Sequence, residues 1–73
     1  MISDEQLDRY RLDGILLRVV RDASPENDLR GYVVAWDEES VVIRKRNRNM
    51  VKLKRSYRYQ PYEQERSTDG LGI

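Results

Sequence analysis

The sequence predicts a mainly β domain: a small five-stranded barrel preceded by a short N-terminal helix. Three observations lead there. Hydrophobic spacing changes from helical to a period of two at Gly14, the apolar residues beyond it fall into five short runs divided by turn residues, and the second run carries an internal glycine. A sheet of short, bent strands tends to close, because closure removes its edges.

Ser3-Asp4-Glu5-Gln6, followed by Leu7 and Tyr10, has the form of a capped first turn, with Ser3 as N-cap and Gln6 three residues on. Asp4 and Glu5 suit the positive end of the helix dipole. The helix is predicted over 3–11, ending before the turn signal Asp13-Gly14. Ile15, Leu17 and Val19 then alternate with Leu16, Arg18 and Val20 as a first strand. A polar, acidic loop with a central proline covers 22–28. The second strand spans 29–36, with Leu29, Gly31, Val33 and Ala35 on one side and Arg30, Tyr32, Val34 and Trp36 on the other. Gly31 marks a bend or a close backbone approach.

After the turn Asp37–Ser40, strand three runs over 41–45 with Val41 and Ile43 inward. Arg46-Asn47-Arg48-Asn49 is the next turn, its asparagines suited to the left-handed conformation. Strand four, Met50 to Lys54, turns Val51 and Leu53 inward, and Tyr57 to Gln60 alternates as a fifth strand closed by Pro61. The domain is therefore expected over 1–62. A polar, disordered C-terminal tail is expected over 63–73.

Composition bounds the function. Of 73 residues, 38% are hydrophobic and 37% charged, so nearly every apolar residue in a periodic stretch is needed for the core and a deep cleft is hard to spare. There is no Cys and no His, which removes disulfides, the thiol nucleophile, the commonest general base and most zinc sites. Asp37-Glu38-Glu39 is read as a solvated hairpin tip, and Gly14 and Gly31 form no phosphate-cradling loop. No enzyme, cofactor or metal is expected. With no long apolar run and an acidic start, a soluble cytoplasmic protein without a membrane partner is expected.

The net charge of +1 conceals a strong asymmetry. Residues 1–43 carry five Arg against ten acids, residues 44–58 carry eight Lys or Arg and no acid, and residues 59–73 carry one Arg against three acids. The basic block holds Arg44, Lys45, Arg46, Arg48, Lys52, Lys54, Arg55 and Arg58, and Tyr57, Tyr59 and Tyr62 follow or interleave with it. Cations with aromatic faces beside them suit sequence-tolerant binding of single-stranded nucleic acid. These eleven residues are the predicted nucleic-acid-binding set, with RNA or single-stranded DNA as partner. The competing explanation is structural: the cations pair with the acids at 37–39 and in the helix, and the rings supply core bulk in a chain without Phe.

Leu29-Arg30-Gly31-Tyr32-Val33-Val34-Ala35-Trp36-Asp37 resembles the strand-two signature of Sm-like proteins of the bacterial Hfq type. Val41-Val42-Ile43, Met50-Val51, and Ser56 to Pro61 are similar to the later strands of that family, so the resemblance extends over most of 3–62. It implies a helix-capped barrel, RNA binding and an oligomer. Where the family has Tyr-Lys-His, this chain has Lys52-Leu53-Lys54, and Glu38-Glu39-Ser40 stands where a stacking aromatic belongs. The resemblance thus carries the barrel but not the family's uridine site. The alternative function is an SH3-like protein-interaction module or a self-associating adaptor that meets an acidic protein surface. No Ala-Leu-Tyr-Asp-Tyr-like stretch accompanies that alternative.

Overall fold

The computed structural model describes residues 1–67. Helix α1, Asp4–Asp13, is followed by strands β1 (Leu17–Val20), β2 (Leu29–Trp36), β3 (Ser40–Arg44), β4 (Met50–Lys54) and β5 (Arg58–Pro61), with a 3-10 turn at Pro25–Asn27. The protein is mainly β, as predicted. All five strands are antiparallel in one sheet of order β4-β3-β2-β1-β5.

Ser3 caps α1 by accepting the Gln6 amide on its hydroxyl at 3.1 Å. At the other end Gly14 adopts φ 62°, and its N–H reaches the carbonyls of Arg11 and Tyr10. This left-handed cap lets the helix run two residues past the predicted end. Leu7 is the helix's one fully buried residue and joins Leu17, Val19, Val33, Val41, Ile43 and Tyr59 in a single core. Each such apolar side chain contributes about 1.5–3 kcal/mol when removed from water.

Strand β2 is the spine. Its first residues pair with β1, from Leu17↔Gly31 to Val19↔Leu29, and its later residues pair with β3. A Cβ at Gly31 would collide with Ile43 Cγ2 and with the Arg44 carbonyl oxygen, so only glycine lets β2 and β3 approach here. Tyr59 of one edge strand and Val51 and Leu53 of the other pack on the same core, so the sheet is rolled around it. No ladder joins β4 to β5 among the described residues. The turn between them is tied by Tyr57 N–H to the Lys54 carbonyl at 3.2 Å, and the Tyr59 hydroxyl donates to that carbonyl at 2.7 Å.

Three details depart from the sequence reading. First, the β2–β3 register slips between Val33 and Ala35, a bulge that takes up Val34. The phase beyond it reverses, so Trp36 packs against the core while Ala35 is exposed. Second, the left-handed residue of the β3–β4 turn is Arg48, φ 71°, rather than an asparagine. Asn47 serves by its side chain, accepting the Asn49 amide at 3.0 Å.

Third, the segment from Glu63, expected as a disordered tail, is docked as far as Ser67. Gln60 donates to the Glu65 carbonyl at 2.8 Å and accepts the Ser67 amide at 3.0 Å. Arg66 makes two bonds to the Asp28 carboxylate, at 2.8 and 3.0 Å, and one to the Asp22 carbonyl at 2.7 Å. The segment therefore bridges β5 to the loop that follows β1. The rest of the expected tail, 68–73, lies outside the described residues.

Candidate nucleic-acid interface

The β3–β4 hairpin presents two sides. Val41, Ile43, Val51 and Leu53 face the core, which leaves Ser40, Val42 and Arg44 opposite Lys54, Lys52 and Met50 on the outer side. Its turn is closed by the Lys45 amide on the Asn49 carbonyl at 2.8 Å and the Arg48 amide on the Lys45 carbonyl at 2.9 Å. Arg44, Arg46, Arg48, Lys52 and Lys54 are exposed and Lys45 is half-buried. Tyr32 of β2 lies directly across from Arg44, whose guanidinium carbon is 5.7 Å from the ring centroid, within cation–π range. Tyr32, Arg44, Lys45, Arg46 and Arg48 line one shallow depression.

Among the described residues, this group has a single ion pair: Lys52 Nζ lies 3.9 Å from Asp37, with both side chains more than half exposed. Such a pair contributes at most about 1 kcal/mol. Asp37 is chiefly engaged with its own turn, its Oδ1 accepting the Glu39 and Ser40 amides at 2.9 and 2.7 Å. Those two N–H groups hold its carboxyl below the ordinary range, with smaller contributions from Lys52 and Arg55. The expectation that the acids at 37–39 neutralise the hairpin cations thus reduces to one loose contact.

Other predicted residues are elsewhere. Arg55 is buried: its guanidinium donates to the Ile2 carbonyl at 3.0 and 3.1 Å, to the Asp37 carbonyl at 2.8 Å and to the Asp4 carboxylate. It ties the chain's start to the β2–β3 turn and has no face free for a ligand. Tyr59 is a core residue, its phenol pKa pushed up by burial. Tyr57 is half-buried against the core, with the Arg21 guanidinium 6.0 Å from its ring centroid. Arg58 is on β5, opposite Val20, and its charge bears on Tyr10 of α1.

Tyr62 was expected beside the basic block but meets two cations from outside it. Arg18 and Arg30 bring guanidinium carbons to 4.8 and 5.3 Å from its ring centroid. Both belong to the acidic first 43 residues, so a charge count along the chain hides them. Strand alternation does turn each outward, but only the β1–β2 register shows that they meet.

What the fold and this surface define is a small, mainly β protein with a cationic hairpin. Compared with known proteins, the chain matches no protein-family model, no curated protein and no solved structure. No helix among the described residues is long and apolar enough to cross a membrane.

Proposed function

We propose that the protein is a small Sm-like barrel that binds RNA or single-stranded DNA through the outer side of its β3–β4 hairpin. One observation carries the reading: six cations share one hairpin and its turn, and only Lys52 has a carboxylate partner among the described residues. Like charges gathered this way destabilise the fold. Phosphates on a ligand offset that cost by releasing counterions. Tyr32, beneath Arg44, supplies an aromatic surface at the same place. Arg44, Lys45, Arg46, Arg48, Lys52 and Lys54 are the phosphate contacts, and the protein acts as a binding module without catalysis.

The test is a titration of mixed-sequence oligonucleotides across salt. Log affinity is expected to fall with log salt with a slope of up to about 4, at roughly 0.7 per phosphate neutralised. The variant Lys52→Glu/Lys54→Glu should bind much more weakly and with a shallower slope. Absence of binding at low salt, or equal binding by both proteins, removes the proposal.

Self-association is a second reading, favoured by a separate observation: among the described residues β4 and β5 each pair on one side only, and Met50 on the β4 edge is 63% exposed. Light-scattering mass at low and high salt tests it, since copies held by opposite charges dissociate in salt whereas copies paired strand to strand do not. For the peptide-reading alternative, two of the three acids of the loop at 22–28 are already engaged, and Glu26 is the third. Asp22 accepts from the Ser24 amide and the Asn27 side chain, and Asp28 is taken by Arg66.

A further inference from the structure

Arg30 stands where two shallow depressions meet. In one it borders Lys45, Arg46 and Asn47 of the hairpin turn, and in the other it borders Arg18 and Tyr62. Arg18 and Arg30 are direct partners in the β1–β2 ladder, so their side chains leave the same side of the sheet. Like charges in that relation are unfavourable, and neither has a carboxylate partner among the described residues. Asp28 is in the same depression, but both its oxygens are engaged by Arg66.

Tyr62 holds the pair instead. Arg18 Nη2 donates to its carbonyl at 3.1 Å, and Arg30 Nη1 donates to its hydroxyl at 3.3 Å. Arg18 Nε is hidden from solvent and has no acceptor. A buried donor left unpaired is costly, and an oxyanion that draws Arg18 outward relieves it.

We infer that Arg18, Arg30 and Tyr62 form a second subsite for single-stranded nucleic acid, with a phosphate between the two guanidiniums and a base against the Tyr62 ring. The inference rests on the hairpin reading above and extends it. The strand runs from the hairpin turn past Arg30 to Tyr62, across the two depressions that Arg30 lines. A single strand is required, because the bases of a duplex have no free face for the ring.

The test compares the wild type, Arg18→Gln/Arg30→Gln, Tyr62→Leu and Lys52→Glu/Lys54→Glu, each checked for folding by circular dichroism. The probes are a single strand long enough to cross both depressions, one confined to the hairpin, and the long strand annealed to its complement. For the long strand, the arginine variant should bind about tenfold more weakly, with a salt slope reduced by about 0.7 for the phosphate released. Tyr62→Leu, which removes the ring that a base stacks on and also the hydroxyl that holds Arg30, should weaken it about tenfold. The short strand should bind all of these except the lysine variant alike, and the duplex should not gain from Tyr62.

If the long strand binds the wild type and the arginine variant with equal affinity and slope while the lysine variant fails, the subsite is overturned and the hairpin reading stands. If the wild type binds no strand, both fall. Arg30→Gln alone, at an exposed position, gives the same readout should the double change loosen the fold.

Discussion

The Arg55 guanidinium, just past the end of β4, holds the Asp4 carboxylate in the first turn of α1, 51 residues away in sequence. The same guanidinium collects the carbonyls of Ile2 and Asp37, so one side chain joins the start of the chain, the β2–β3 turn and the β4–β5 turn. Arg55→Met should cost about 1–3 kcal/mol, because it leaves the part-buried bonds to the Ile2 and Asp37 carbonyls unmade. Arg55→Lys should recover only part of that, as an ammonium cannot reproduce the planar fork. Denaturant midpoints of the three proteins check both statements.

Gly31→Ala tests the close approach of β2 and β3. Two of the three atoms nearest its Cβ, the Arg44 carbonyl oxygen and carbon, are backbone and cannot rotate away. The cost should exceed about 1–3 kcal/mol, the usual range for overpacking, and thermal unfolding measures it.

Arg48 offers a trade between stability and binding. A left-handed arginine is strained by about 1–2 kcal/mol, a cost glycine does not carry. Arg48→Gly should therefore melt at a higher temperature while binding oligonucleotides more weakly. A variant that gains on both counts would show that Arg48 has no part in the ligand surface.

Tyr59→Phe separates a core tyrosine from a stacking one. Losing the bond to the Lys54 carbonyl should cost about 1 kcal/mol of stability. Affinity for oligonucleotides should not change, and calorimetry reads both on one preparation.

Acid should weaken the turns after β1 and β2. Asp22 and Asp37 have carboxyl pKa values lowered from 3.8 by backbone N–H donors, from Ser24 to Asp22 and from Glu39 and Ser40 to Asp37. A depressed folded value means that the stabilisation is complete above the unfolded pKa and is lost as pH falls through the folded one. Asp37→Ala should flatten that part of the stability profile, as followed by melting temperature against pH.

The mainly β class, the N-cap at Ser3 and the inward residues of β3 and β4 were legible because they depend on local spacing. The Val34 bulge was not, since a strand's pattern cannot reveal that its partner skips a residue. Of the predicted contact residues, the hairpin brings together the six cations from Arg44 to Lys54. Arg55 and Tyr59 stood in the predicted contact set, but Arg55 is drawn in by the carbonyls of Ile2 and Asp37, and Tyr59, paired with Val19, lies on the core side of β5. Arg18 and Arg30 were missed for the opposite reason: each is an ordinary outward strand residue until the register sets them side by side. Arg66 likewise gains its meaning from Asp28, 38 residues away.

The bulge in β2 also decides what the protein can report about itself. Trp36 is the chain's one tryptophan, and the extra residue turns its indole toward the core rather than toward the cationic surface. Its emission will track melting of the interior and remain nearly silent when a ligand settles on the hairpin. Folding and occupancy can therefore be followed in one cuvette, the first by intrinsic fluorescence and the second by a dye on the oligonucleotide.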